Sequence, residues 1–512
     1  MPGKPSHPIL EPCGIEGCNQ PAIYQQMCQE HCEMFGFEIP KELLEAAKKA
    51  TEPPPPEPAV ETPKPQPKID MYELIADTIQ RQNQWFFEGG LGLLYWYDRQ
   101  EGIWSDSGEQ KIDQEVARFR RRMKGKKTKL STLQNEVKRI IKSELTDRHQ
   151  QFPRSPLHLV PMNNGVYNLD TGKLQQFKPE MYFRSKFPTN YNTEADDAFL
   201  YKLIKDWLPG TATQTALEIG GLCMYADYPV HKFYVFWGVG RNGKSRLVQI
   251  IQNILGQQNC SSQSLNGISE QFNPIELYGK YANIAEELDK SSPKTAVGDF
   301  NVLLRATGQS MIKAARKRIS SVSFVNFATM IFATNELPLA VVRTHAFWSR
   351  VQMLHFPKVY DGDELDPDLP YKIDEATEAT ELVAREMLHA LRDLRARRWR
   401  LTGQMTQEEA KEAWQNVANP IEKFINDFCY KGPNRSTPLG EFVDAFNYYL
   451  EAQGKAPQSY HQIRRSLVNG LGYQDTRKRP NYGGNPIASA IGLELRSSAH
   501  RPNKPTQEDN PF

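Results

Sequence analysis

Residues 238–245 read Gly-Val-Gly-Arg-Asn-Gly-Lys-Ser and follow directly on an apolar run, Phe233-Tyr-Val-Phe-Trp237. A strand that ends in G-x-x-x-x-G-K-S and opens a helix predicts a phosphate-binding loop inside an α/β layer structure. Gly238, Gly240 and Gly243, with Asn242 in the same turn, let the backbone bend sharply and bring its N–H groups onto phosphate oxygens. Lys244 is placed to reach the β- and γ-phosphates, and Ser245 to offer a hydroxyl to Mg²⁺. The helix expected next, Arg246 to Leu255, aims its positive N-terminal dipole at the same phosphates. ATP and Mg²⁺ are therefore the expected ligands.

The residues downstream separate a motor from a kinase. Tyr281-Ala-Asn-Ile-Ala285 predicts a short strand with Glu286 and Glu287 at its end. One carboxylate there would hold the Mg²⁺ shell and the next would orient the attacking water. Phe327-Ala-Thr-Met-Ile-Phe-Ala-Thr-Asn335 predicts a second strand, ending beside the phosphate loop with Asn335 toward the γ-phosphate or the water. Arg350 is the expected finger for the γ-phosphate of a neighbouring subunit, with Arg343 less favoured. Lys313, Arg316, Lys317 and Arg318 put four cations in six positions, a pattern suited to tracking a phosphate backbone.

In this order the motifs resemble those of the superfamily 3 helicases of viruses, phages and plasmids, in the poxvirus- and phage-type primase-helicase branch. The ATPase resemblance spans about residues 196–360. Residues 71–195 resemble the domain that precedes the ATPase in that branch, through Met162-Asn-Asn-Gly-Val-Tyr-Asn-Leu-Asp-Thr-Gly172 and Lys178-Pro-Glu-Met-Tyr-Phe183. The resemblance implies a hexameric AAA+-like ring that moves along single-stranded DNA, usually 3′ to 5′, with the segment around Lys313–Arg318 as a hairpin projecting into the pore. Where the family often has Gly-Asp after Thr-Gly, this chain has Gln309-Ser310.

The rest of the chain is organised around that core. Seven cysteines, four of them within residues 13–32, argue for a metal site in a reducing compartment rather than a disulfide framework. Cys13, Cys18, Cys28 and His31 supply four ligands in two close pairs, suited to tetrahedral Zn²⁺ and similar to small zinc knuckles, with Cys32 as a possible substitute for His31. Such a unit, expected over 1–45, would draw its folding energy from the metal. DNA contact and partner docking are equally open as its role. A proline-rich linker is expected over 46–70. Residues 71–195 read as an α/β domain whose window 111–148 holds 13 Lys/Arg against 5 Asp/Glu. An ATPase domain is expected over 196–415. Its helix near 375–400 ends in Arg392, Arg395, Arg397, Arg398 and Arg400. Residues 417–497 read as three short helices and a basic wing, a winged helix with its recognition helix from Ser459. Residues 498–512 read as a polar tail.

The fold expected from these readings is α/β: an AAA+-like P-loop ATPase core with an α/β N-terminal domain, a C-terminal winged helix and a small zinc knuckle. The function expected is an ATP-dependent replicative DNA helicase acting on single-stranded and forked DNA as a homo-hexamer, with a primase, polymerase or single-strand-binding protein in trans. An origin-recognising initiator that assembles on duplex DNA is the main alternative, and a metabolic P-loop kinase is the third. No primase activity is expected, because Asp366-Pro-Asp368, the nearest acidic pair, falls in a Pro/Asp-rich loop. No run of about 18 apolar residues and no apolar leader occurs, so the expected location is the cytoplasm of a bacterial host.

Overall fold

A computed structural model of the 512-residue chain describes residues 38, 41–50, 70–89, 91–123, 128–146, 151–265, 267–269, 273–286, 301–316, 319–335, 337, 344–452, 457–478 and 487–496. Helix α1 (Lys41–Ala50) runs across the expected boundary between residues 45 and 46. The chain divides into two compact units: residues 1–156 with 177–185, and residues 157–176 with 186–512.

In the first unit, α2 (Met71–Gln82) leads into a three-stranded antiparallel sheet, β1 (Trp85–Glu88), β2 (Leu93–Asp98) and β3 (Ile103–Ser105), in the order β1-β2-β3. Two helices follow, α3 (Gly108–Arg122) and α4 (Leu130–Leu145). Their apolar positions recur at helical spacing, and Ile112, Val116, Leu133, Val137 and Ile141 bury with Ile75 and Ile79 of α2 in one core. The runs Leu93-Leu-Tyr-Trp-Tyr97 and Gly102-Ile-Trp104 predict the β2–β3 hairpin, whereas β1 is not read from the sequence. Part of the basic charge of this stretch is paired within the unit: Lys138 with Asp113 at 3.0 Å, Lys142 with Glu109, and Arg139 with Glu136 at 2.9 Å.

The second unit opens with a meander, β4 (Leu159–Met162), β5 (Gly165–Asn168) and β6 (Lys173–Gln175). The sequence reads 163–172 as a strand ending in a turn, and the strand is Gly165–Asn168 with the turn at 169–172; only Asn163-Asn164 differs, as the turn of the hairpin with β4. The expected boundary at residue 195 also differs from the division seen. The meander is tied to the second unit by Arg392 Nε donating to the Leu169 carbonyl at 3.0 Å and by Arg395 pairing with Asp170 at 3.0 Å. Helices α5 (Phe199–Trp207) and α6 (Thr211–Leu222) lead to the main sheet.

That sheet holds β7 (Phe233–Trp237), β8 (Cys260–Ser261), β9 (Ala282–Ala285), β12 (Thr329–Thr334) and β13 (Val351–His355), all parallel, in the order β13-β7-β12-β9-β8. The mixed α/β fold with a parallel sheet matches the class expected. Strands buried on both faces read as continuous apolar runs, which is why Phe233–Trp237 and Thr329–Thr334 are legible in the sequence. The crossovers are α7 (Lys244–Leu255), α8 (Asn301–Thr307), the antiparallel hairpin β10 (Met311–Arg316) and β11 (Ile319–Val325), and α9 (His345–Trp348). Helix α10 (Leu369–Glu375) and the long α11 (Thr377–Ala396) follow. Glycines let α11 approach α6: a Cβ on Gly221 would lie 2.5 Å from the Met387 carbonyl oxygen.

The chain then runs through α12 (Gln407–Ala418), α13 (Pro420–Phe428), β14 (Cys429–Pro438), α14 (Leu439–Ala452), α15 (Tyr460–Arg465), β15 (Gln474–Lys478) and β16 (Ile487–Leu495). The three strands form an antiparallel sheet in the order β14-β16-β15. Phe424, Phe442, Phe446 and Ile463 join its inner face in a separate core. Ser459 starts α15 with a capping box to Gln462. Among the described residues no helix is long and apolar enough to cross a membrane.

Candidate functional site

The loop between β7 and α7 is the centre of the site. Gly238 has φ +157, and a Cβ there would sit 2.2 Å from Asn242 Nδ2 and 2.6 Å from the Phe356 carbonyl. Gly243 has φ +90, a left-handed value that favours glycine, and a Cβ on it would fall 2.4 Å from the Trp207 indole. Asn242 is 2 % exposed, and its Nδ2 donates to the Phe356 carbonyl at 3.3 Å, fastening the loop to the end of β13. Arg241, at φ +62, receives a backbone hydrogen bond from Tyr360 N at 2.9 Å and pairs with Asp361 at 3.2 Å.

Lys244 is the first residue of α7 and is buried. Its Nζ donates to the carbonyls of Gly238 at 2.7 Å and Val239 at 3.4 Å, and to Asn242 Oδ1 at 2.8 Å. Burial lowers its pKa to about 8, since desolvation disfavours the cation. Among the described residues no backbone N–H of residues 239–243 donates to another group. A turn of such donors, beside a buried ammonium and a helix N-terminus, has the chemistry of an oxyanion cradle.

A cleft of about 550 Å³ opens over this loop. Its floor includes Gly240, Asn242, Gly243, Lys244 and Ser245. Asn335 lines the same cleft, because β12 lies next to β7 with Thr334 level with Trp237. Glu286 follows β9 on the far side of β12. Ala285 is level with Phe332, so Glu286 leaves the sheet at the same end as the loop. Ser245 and Glu286 are thus the described groups to test for Mg²⁺, which binds through few protein oxygens and keeps phosphates and waters as its other ligands. No cluster of three or more His, Cys, Asp or Glu that could hold a metal occurs among the described residues.

Arg350 stands elsewhere. It immediately precedes β13, whose Val351 is level with Phe233 at the start of β7, and its carbonyl accepts from Phe233 N at 2.8 Å. Its own loop follows Trp237, so the length of the strand separates the two, roughly 16 Å at ~3.3 Å per residue. Arg350 Nη1 donates to the Ala346 carbonyl at 2.8 Å. On the β10–β11 hairpin Lys313 is exposed opposite Ser323, and the register breaks between Ala314 and Arg316. The hairpin forms with Gln309-Ser310 before it: Gln309 takes φ +53, and its Nε2 donates to Asp227 at 2.6 Å. Glu287, Lys317, Arg318, Arg343, Cys13, Cys18, Cys28 and His31 lie outside the described residues.

Sequence reading missed the wall of the cleft. Phe199, Leu203 and Trp207 of α5 face it from one side, and Tyr360, Leu365 and Leu369 from the other. The Tyr360 hydroxyl donates to Asp206, and Lys358 Nζ reaches both Asp206 oxygens at 2.9 Å, so the two sides are joined. The Tyr360 bond, with Lys358, holds the Asp206 carboxyl below its usual range, and burial pushes the Tyr360 phenol up. No short motif marks these residues in the sequence.

Two family models match the chain. Residues 72–211 match the family described as D5 N terminal like, and residues 236–350 match a family of unknown function, DUF5906. The first match agrees with the phage-type primase-helicase resemblance read from residues 71–195 and supports it. The second segment runs from within β7 to Arg350. No curated protein sequence matches. Among solved structures, the apo structure of NrS-1 C terminal region (305-718) is 13% identical, covering 82% of this chain and 98% of that one at a TM-score of 0.41. The A form apo structure of the NrS-1 C terminal region has the same identity and coverage at a TM-score of 0.39. Overlaps at this level carry no argument about the chain.

Proposed function

We propose that this protein is an ATP-driven DNA helicase of phage-type replication, assembling as a ring on single-stranded DNA. The observation that carries the reading is the loop at the end of β7, with undonated backbone N–H groups, Lys244 at the helix start and Asn335 on the same cleft. In this reading Gly238, Gly240, Asn242 and Gly243 shape the cradle, and Lys244 moves from the Gly238 carbonyl to the β- and γ-phosphates. Ser245 and Glu286 hold Mg²⁺, which neutralises phosphate charge when bound. Glu287 orients water, Asn335 senses the γ-phosphate, and Arg350 completes a neighbour's site. The placement of Arg350 at the opposite end of the sheet from its own loop favours action in trans. Lys313, with Arg316, Lys317 and Arg318, grips the DNA backbone. The C-terminal unit of three helices and three strands is read as a winged helix, and Cys13, Cys18, Cys28 and His31 as a zinc knuckle.

The test is unwinding of duplexes carrying a 3′ or a 5′ single-stranded tail, with ATP and with Lys244→Ala as control. Unwinding that needs one tail polarity and is absent in the variant supports the helicase. ATP turnover with tight duplex binding and no strand separation would favour the initiator reading instead.

A further inference from the structure

Arg392 and Arg395 near the end of α11 have no part in the ATP site, yet they line a second large depression among the described residues of the second unit. This open trough of about 1030 Å³ is lined by Tyr225, His389, Arg392, Asp393, Arg395 and Trp399, among others. Its volume is at the top of the range for drug-sized ligand sites, roughly 300–1,000 Å³, which fits a chain lying along it better than an enclosed small molecule.

The backbone there is unusual for its sequence. Helix α11 ends in a Schellman-type turn, with Trp399 N donating to the Leu394 carbonyl at 2.8 Å. The left-handed position after the cap is normally glycine, because a Cβ is disfavoured there. Here it is Arg398 at φ +53, and Trp399 follows at φ +63. Two successive bulky residues in the left-handed region are rare, and such strain persists where side chains are used. The turn sets the Trp399 ring against Tyr225, with centroids 5.0 Å apart, and leaves Arg398 and Arg400 exposed. Among the described residues neither guanidinium has a hydrogen bond or ion pair, whereas Arg395 is paired with Asp170 and Arg397 with Glu218. The trough therefore offers an aromatic face and a carboxylate on Asp393 that can accept from a base amine, and the exposed, uncompensated Arg398 and Arg400 flank its Trp399 in the chain.

We propose that this trough binds single-stranded DNA, one base stacking on Trp399 while Arg398 and Arg400 hold the adjoining phosphates. Aromatic faces combined with basic flanks are how single strands are held without sequence readout. The site stands apart from the β10–β11 hairpin and from the ATP cleft, so it does not depend on the reading given to either.

The test uses the full chain carrying Lys313→Ala and Arg316→Ala, which removes the hairpin cations among the described residues, and anisotropy of labelled oligo-dT of about 20 nucleotides. Trp399→Ala is expected to weaken binding about tenfold, and Trp399→Phe to keep most of it. Arg398→Gly is expected to lower the salt slope by about 0.7 while the melting temperature stays the same or rises, since glycine is at ease in that turn. A role confined to ending the helix would raise the melting temperature and leave affinity unchanged, which overturns the proposal. As a direct readout, oligonucleotides carrying 5-iodouracil should crosslink to the segment containing Trp399 or Tyr225. Crosslinks confined to other segments, or displacement of the oligonucleotide from this segment by mononucleotides at matching concentration, overturn it as well.

Discussion

Lys244 Nζ donates a 2.7 Å hydrogen bond to the carbonyl of Gly238, so the last helix-starting cation of the loop is folded onto the glycine that begins it. The contact keeps a buried ammonium satisfied, and it is one that a phosphate would replace. Lys244→Ala is expected to cut ATP turnover by about 10²–10³-fold, the usual cost of removing one donor to developing charge. Far-ultraviolet circular dichroism should be unchanged, and a steady-state ATPase assay on the same sample checks the pair of outcomes.

Gly243 lies directly under Trp207. An alanine there meets the indole at 2.4 Å and takes a left-handed φ of +90. Gly243→Ala is expected to raise the KM for ATP at least about tenfold, since a displacement of about 1 Å can cost 10² in rate. Trp207→Ala in the same background should recover part of the loss by removing the clash. Kinetics on the single and double variants decide it, and equal losses in both would show that the ring is not the obstacle.

Lys232 is buried, with Nζ 3.2 Å from the carbonyls of Val351 and Met405, and burial lowers its pKa to about 8. The unfolded lysine titrates near 10.5. Below pH 8 both states are protonated and the full penalty of burying the charge is present. Between pH 8 and 10.5 the unfolded state binds more protons, so this group makes stability rise with pH. The stability of wild type relative to Lys232→Met is therefore expected to improve across that window, by an amount of order 1–3 kcal/mol. Urea unfolding at pH 7, 9 and 10 measures it, and a flat difference would refute the assignment.

Arg350 precedes β13 at the opposite end of the sheet from the Gly238–Ser245 loop of its own chain. If it serves a neighbour, Arg350→Ala and Lys244→Ala chains are each inactive alone, yet mixing them creates some interfaces with both residues intact. Partial recovery of ATP turnover in the mixture, with a maximum near equal proportions, is expected. No recovery at any ratio counts against a site shared between subunits.

Gly221 faces the α11 backbone at a distance that leaves no room for a side chain. Gly221→Val is expected to destabilise the second unit by about 1–3 kcal/mol, the range for forcing atoms into a packed interface. Thermal unfolding of the variant tests this, and an unshifted midpoint would mean that α11 moves away without cost.

The Gly238–Ser245 loop was legible because all its determinants are contiguous. A buried parallel strand reads as an apolar run, the glycines and Lys244-Ser245 follow at fixed spacing, and the helix period begins at once. The helix start at Ser459 was readable for the same reason, whereas the β10–β11 hairpin was expected through the family resemblance. The meander at 159–175 was only half readable: its Asn163-Asn164 turn looks like strand interior unless the partner strand is known. Trp207 and Tyr360 were not readable as site residues at all. Each is an ordinary aromatic in its own segment, and what makes it a wall of the cleft is the other one, 153 positions away in the chain.

The sequence by itself determined the local chemistry: a strand, a turn of exposed amide donors, a lysine and a serine at a helix start, and strand-end residues Glu286 and Asn335. These follow from short-range sterics and hydrogen bonding, which a dozen residues specify. Only the tertiary structure decided which strand lies beside which, and so that Asn335 shares the cleft while Arg350 stands at the far end of the sheet. It also decided that the arginines closing α11 frame a trough with Tyr225. Strand order and helix packing depend on burying apolar faces from distant segments together, and that free energy belongs to no single stretch of the chain.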